Sequence, residues 1–404
     1  MIKYWLLIIM AVLGLVAAPS AQAQISDGVI KIGVLTDMSS LYADLSGQGS
    51  VIAARMAVED FGAAKKGMKV EIISADHQNK ADVGSGIARQ WIDSDKVDVI
   101  VDTPNSAVAL AVNQIVKEKG KAFLVSGAAS SDLTGKACSP NTVHWTYDTW
   151  ALANGTGSAI VKTGGDSWFF LTADYAFGHA LERDTEAVVI KNGGKVLGKV
   201  RHPLNTADFS SFLLQAQSSK AKIIGLANAG GDTTNAIKQA AEFGIVKGGQ
   251  SLAGLLVFIT DVHALGLQTA QGLIFTEAFY WDSNDKTRAF SKRFAELDRD
   301  IHPTMIHAGV YAATLHYLKA VEALKSDDGT KVIAKMKETA TDDPLFGKGT
   351  IRADGRKLHP MYLFEVKKPS ESKGPWDYYK LRATIPVEQA FRPIDQGDCP
   401  LVKK

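Results

Sequence analysis

Two short runs of small and hydroxyl-bearing residues each end an apolar stretch of chain and offer the means to hold an anion. The first is Asp102-Thr103-Pro104-Asn105-Ser106, after the apolar run 97–101. The second is Ser126-Gly127-Ala128-Ala129-Ser130-Ser131, after 122–125. A strand that feeds such a turn at a helix start leaves backbone N–H groups unpaired beside side-chain oxygens, an arrangement that suits a carboxylate. The same residue types also make ordinary N-caps, so either run alone is as well explained without a ligand.

The elements that must position these turns are legible around them. Both apolar runs are continuous rather than alternating, as expected of parallel strands covered on both faces, and an amphipathic stretch over 107–118 lies between them. In open α/β sheets, turns at the carboxyl ends of strands are where ligands collect. Strand-like runs at 29–35, 69–75, 97–101 and 122–125 alternate with helix-like runs at 49–61 and 81–93. A helix over 149–162 leads into a second series, with strands at 167–171, 195–200, 223–226 and 252–257 and helices near 178–192, 209–218 and 233–243. This alternation predicts an α/β fold of two doubly wound parallel-sheet lobes. Helices over 285–298, 306–324 and 331–340 and a strand-bearing stretch over 349–364 follow, so the chain must cross between lobes more than once, through a multi-segment hinge. The expected division is 24–147 plus 276–352 for lobe 1, 148–275 plus 353–395 for lobe 2, and 396–404 as a tail.

Lys3, the apolar run 4–18 and Ala21-Gln22-Ala23 together read as a secretory signal peptide over 1–23, cleaved after Ala23. The chain has only two cysteines, Cys138 and Cys399. In an oxidising compartment such a pair is a disulfide candidate, with two free thiols as the alternative, and a bridge would pin the tail beside the 126–131 turn. Lys and Arg total 45 against 43 Asp and Glu, a balance that gives no reason to invoke nucleic acid or an anionic membrane. An exported enzyme is the rival class, but there is no G-x-S-x-G, H-E-x-x-H or G-x-x-x-x-G-K-[ST]. Gly47-Gln48-Gly49 lacks a third glycine at dinucleotide spacing. The nine histidines are scattered, and His307 and His316, nine apart on one helical run, fall on different faces. No catalytic residue, metal or cofactor is expected.

With these elements in place, three motifs carry a resemblance. Ile30-Lys31-Ile32-Gly33-Val34-Leu35-Thr36-Asp37-Met38-Ser39 resembles the opening strand and turn of type I periplasmic binding proteins, in the branch serving branched-chain-amino-acid (leucine, isoleucine, valine) ABC importers. Ser126 to Thr134 resembles that branch's carboxylate-holding turn, and Asp174-Tyr175-Ala176-Phe177-Gly178 its second-lobe D-x-x-aromatic-G turn. The element order matches over about 28–365.

The resemblance implies a periplasmic protein, expected to be monomeric, whose two lobes close on a small solute and dock on an inner-membrane permease. The same module can instead present its ligand to a chemoreceptor or sensor kinase. Carried over by position, Asn105, Ser106, Ala128 and Ser130 would hold a ligand carboxylate. Phe177, Tyr175 and Tyr42 would wall the ligand body, although core packing explains each of these aromatics equally well. The Asn228–Asp232 loop would cover the ligand from the second lobe.

One departure stands out. Amino-acid binders of this branch hold the ammonium with an acid just after a second-lobe strand, and Gly254-Leu255-Leu256-Val257-Phe258-Ile259 contains none. Asp261 is the nearest acid, and Asp232 is a substitute that serves equally as N-cap of a helix beginning at Thr233. A buried ammonium without a carboxylate costs several kcal/mol, on the order of the effective desolvation of one ion. A small organic acid, aromatic acids included, is therefore expected in preference to a zwitterionic amino acid.

Overall fold

Strands β1 (Ile30–Thr36), β2 (Val70–Asp76), β3 (Val99–Asp102), β4 (Ala122–Val125) and β5 (Thr142–His144) form a five-stranded parallel sheet in the order β2-β1-β3-β4-β5. A second parallel sheet joins β6 (Ser167–Ala173), β7 (Lys195–His202), β8 (Ile223–Ala227) and β9 (Ser251–Gly254) in the order β7-β6-β8-β9. The computed structural model describes residues 25–403, so the signal peptide expected over 1–23 lies outside the described residues. In both sheets the winding reverses beside the first strand, between β1 and β3 and between β6 and β8. These are the crevices where open α/β sheets bind ligands.

The sheets and their covering helices make the two α/β lobes that the alternation predicts. After β10 (Ile274–Glu277) the helix Met305–Leu324 returns to the first sheet and packs along the helix Gly47–Phe61. Gly309 allows the closest approach, because a Cβ there would lie 1.9 Å from Thr146 Oγ1. A small antiparallel sheet follows, of β11 (Thr341–Asp343), β12 (Gly347–Ile351) and β13 (Lys357–Leu358). The chain then goes back as β14 (Met361–Val366), which pairs with β10, and β15 (Tyr379–Ile385), which pairs with β14. Phe275, Phe364 and Tyr379 of that ribbon share a core with Leu171 and Ile224 of the second parallel sheet.

Two elements differ from expectation. The apolar run 252–257 is strand only to Gly254. Val257 folds back to within 2.6 Å of where a Gly254 Cβ would stand, and Asp261 starts a helix, Ile259–Leu265, by accepting the Phe258 amide at 2.9 Å. Apolar content alone cannot separate a strand from the turn that follows it. The helix expected over 149–162 is interrupted by a π turn, Ala153–Gly157, where Gly155 lets Thr276 of β10 cross closely.

Cys138 and Cys399 form a disulfide, 261 residues apart in sequence. Arg392 reinforces the tail, donating from Nη2 to the Ser131 carbonyl at 3.0 Å.

Candidate functional site

After β3 the backbone passes through the left-handed region at Asp102 (φ 76°) and Thr103 (φ 59°). Asn105 then starts the helix Ser106–Lys119, its Oδ1 accepting the amides of Ala107 and Val108 at 2.9 and 3.1 Å. The turn after β4 lies directly against this one. A Cβ on Gly127 would come within 2.7 Å of Pro104 Cα and 2.8 Å of Asp102 Oδ1, so only glycine lets the two turns meet. Ser106 Oγ stitches them together, accepting the amides of Ala129 and Ser130 at 3.2 and 3.1 Å.

The two helix openings are therefore neighbours, but part of their donor set is spent within the protein. Ser130 Oγ accepts the Asp132 amide at 3.4 Å, and the Ala128 carbonyl accepts a hydrogen bond from His144 Nε2 at 2.7 Å. Burial holds that imidazole well below its ordinary pKa, so it is neutral. The N–H groups of Gly127 and Ala128 make no hydrogen bond to any of the described residues.

Across the cleft, Tyr175 and Phe177 sit where β6 enters the helix Ala176–Lys191, with ring centroids 6.0 Å apart. Glycine follows them because a Cβ on Gly178 would lie 2.0 Å from the Ala173 carbonyl oxygen. Asn228, after β8, is tied to Thr233 Oγ1 and His202 Nε2 at 2.7 and 3.1 Å. Asp232 does not cap the helix Gly231–Glu242. It lies in the first turn and its carboxylate accepts the amides of Asn205 and Thr206, at 3.1 and 2.9 Å, holding the loop after β7.

Between these walls is a small cavity with about 10 Å³ of free space, room for about one water-sized sphere. The first sheet's side supplies Tyr42, Leu45, Pro104, Gly127 and Ala129, while Tyr175, Phe177, Ala229, Leu256 and Phe258 face them and Tyr147 closes one end. Of the nine residues expected at the ligand, Tyr42, Tyr175 and Phe177 line this cavity. Asn105, Ser106, Ala128 and Ser130 instead brace its wall from behind, presenting their neighbours Pro104, Gly127 and Ala129. Asn228 and Asp232 are also outside the lining; they hold Thr233, His202 and the loop after β7.

Sequence reasoning passes over Tyr147 and Phe258, whose rings meet edge to face at 6.2 Å. Tyr147 had a signal, since it stands just beyond the carboxyl end of a strand. Phe258 had none beyond its place in an apolar run.

The mouth is closed. The hydroxyls of Tyr42 and Tyr175 are 2.5 Å apart across the cleft, and the Gly231 amide donates to the Leu41 carbonyl at 3.3 Å. No charged side chain is among the residues lining the cavity. Burial pushes the pKa of Tyr42 well up, with Tyr175 adding to the effect, and burial also raises those of Tyr175 and Tyr147, so all three hydroxyls are neutral.

The second-lobe acids are engaged elsewhere. Burial raises Asp261 to about 7 despite its bond from the Phe258 amide, and Asp232 to about 6 despite its two amide donors. Glu277, also pushed up by burial, accepts the Tyr379 hydroxyl at 2.9 Å. Among the described residues no group of three or more His, Cys, Asp or Glu side chains is arranged to hold a metal ion.

Two α/β lobes sealed over a small, neutral cavity at the carboxyl ends of both sheets define a two-lobed solute-binding protein. Residues 29–374 match the family model described as periplasmic binding protein, and the chain belongs to that family. A periplasmic binding protein from Burkholderia mallei is 55% identical with a TM-score of 0.91, over 93% of this chain and 100% of that one. A branched-chain amino acid ABC transporter periplasmic ligand-binding protein from Burkholderia xenovorans is 41% identical, TM-score 0.81, over 92% and 99%. A solute-binding protein of an ABC transporter from R. palustris, solved with benzoate, shares the fold at 22% identity and a TM-score of 0.81, over 92% and 100%.

Proposed function

We infer that this protein captures a small monocarboxylate in the periplasm, with an aromatic acid as the favoured ligand, and delivers it to an inner-membrane ABC permease. The observation that carries the reading is the lining of the closed cavity: five aromatic rings, apolar walls, free main-chain amides beside it and no acid. Neutral N–H and O–H donors satisfy a carboxylate without a buried cation. An ammonium group in the same place would have no counter-charge.

The closed cleft leaves only about 10 Å³ free, so in this reading a ligand ring is admitted as the lobes part. In this reading the ring lies among Tyr42, Tyr175, Phe177 and Phe258, and the carboxylate meets the Gly127 and Ala128 amides. Benzoate in a protein of the same fold is consistent with it. Export through the 1–23 signal peptide belongs to the same proposal, as does a hinge that divides the chain near 147, 276 and 353.

Calorimetric titration with benzoate, 4-hydroxybenzoate, leucine and glutamate tests the ligand class. Benzoates are expected to bind in the micromolar range or tighter while leucine and glutamate stay silent. Tight leucine binding with silent benzoates would overturn it.

A further inference from the structure

Behind the Gly127 turn lies a carboxyl group that the binding scheme does not yet use. Asp102 ends β3, is fully buried, and neither of its side-chain oxygens has a partner that meets hydrogen-bond geometry among the described residues. Its Oδ1 stands 2.8 Å from where a Cβ of Gly127 would be, so only one residue of backbone separates it from the cavity.

The groups facing it from each packed element are neutral. β1 offers the Thr36 hydroxyl, the helix Gly47–Phe61 offers Ser50, and the segment after β5 offers Tyr147. The titratable side chains of the same elements are turned away. Asp37 accepts from Ser40, Asn79 and the Tyr42 amide; His144 faces the Ala128 carbonyl; His307 faces the Ser46 carbonyl. Among the described residues no cation offsets a charge on Asp102.

We propose that Asp102 is a specificity-determining residue of the cleft, protonated whenever a ligand carboxylate occupies the Gly127 turn, so that the ligand binds together with one proton. This rests on the carboxylate reading above. A ligand anion on one face of Gly127 and an ionised Asp102 on the other would repel each other through a dry wall, with no positive group between them. The proton comes from water on binding and returns on release, and no bond to the ligand is made or broken. Burial already pushes the carboxyl up to about 7, so the ligand needs only to raise it further. An ammonium ligand would reverse the coupling, because it would draw on the ionised form.

The test has two arms. In the first, benzoate is titrated into wild-type protein from about pH 6 to 9, in two buffers of different ionisation enthalpy. Affinity should fall about tenfold per pH unit above pH 7, with uptake approaching one proton. The D102N variant, whose asparagine tolerates the positive φ, should bind with no such dependence. Affinity that is flat or rises with pH in the wild type, or a slope unchanged in D102N, overturns the proposal.

In the second arm, carbon-13 NMR follows the Asp102 carboxyl in the ligand-free wild type. A carboxyl still neutral at pH 5 is expected, and one already ionised there overturns the proposal whatever the ligand proves to be. Failure of benzoate to bind would instead count against the functional reading, and the second arm alone would then decide the state of Asp102.

Discussion

The Ser106 hydroxyl acts on the candidate site through the backbone of the neighbouring turn. It accepts two buried amides, Ala129 and Ser130, and so fixes the turn that presents Gly127. Ser106→Ala should therefore act first on stability, lowering it by about 1–3 kcal/mol as two amides lose their acceptor, measured by denaturant unfolding. Gly127→Ala forces a Cβ against Pro104 and Asp102, and overpacking of that kind costs about 1–3 kcal/mol. Most of that cost should appear as weaker benzoate binding in calorimetry, because the displaced backbone is the one proposed to meet the anion.

Asp102 also makes a prediction about stability. Its folded pKa of about 7 lies above the ordinary 3.8, so the stability it contributes is full below 3.8 and is lost as pH rises toward 7. Relative to the wild type, Asp102→Asn should gain about 1.4 kcal/mol per pH unit between pH 5 and 7 in chemical unfolding.

At the scale of elements, what was legible in the chain was the placement of turns rather than the direction of side chains. The apolar runs before Asp102 and Ser126 announce buried parallel strands, and their carboxyl ends do meet in one crevice. Whether the side chains of Asn105, Ser106 and Ser130 would face a ligand or the neighbouring turn depends on how two loops about 20 residues apart in sequence abut. That is settled by contacts around Gly127 and leaves no periodic trace. Phe258 was hidden for a related reason, since the run 252–257 reads as strand whether or not it turns at Gly254. Asp232 sits as well at a helix start as in its first turn, and only the loop after β7 decides which amides it serves.

Over the whole molecule, one hydroxyl pair and one backbone bond to Leu41 cross the cleft beside the cavity, while Ser131–Asp184 and Arg183–Asp132 also join the turn after β4 to the helix Ala176–Lys191. Tyr42→Phe removes the first and should shift the population toward the open form. A loss of about 0.5–1.5 kcal/mol would lower apparent affinity two- to tenfold, visible in titration calorimetry. The Cys138–Cys399 bridge and Arg392 tie the chain's own tail to the turn after β4 and the segment that follows it. Replacing both cysteines by serine should lower stability by about 2–4 kcal/mol in thermal or denaturant unfolding under oxidising conditions.

The most direct test is a crystal structure of the protein grown with benzoate. The ring should lie among Tyr42, Tyr175, Phe177 and Phe258, with the carboxylate within hydrogen-bonding distance of the Gly127 and Ala128 amides. A cleft that binds an amino acid instead, its ammonium paired with Asp232, Asp261 or Glu277, would contradict the account.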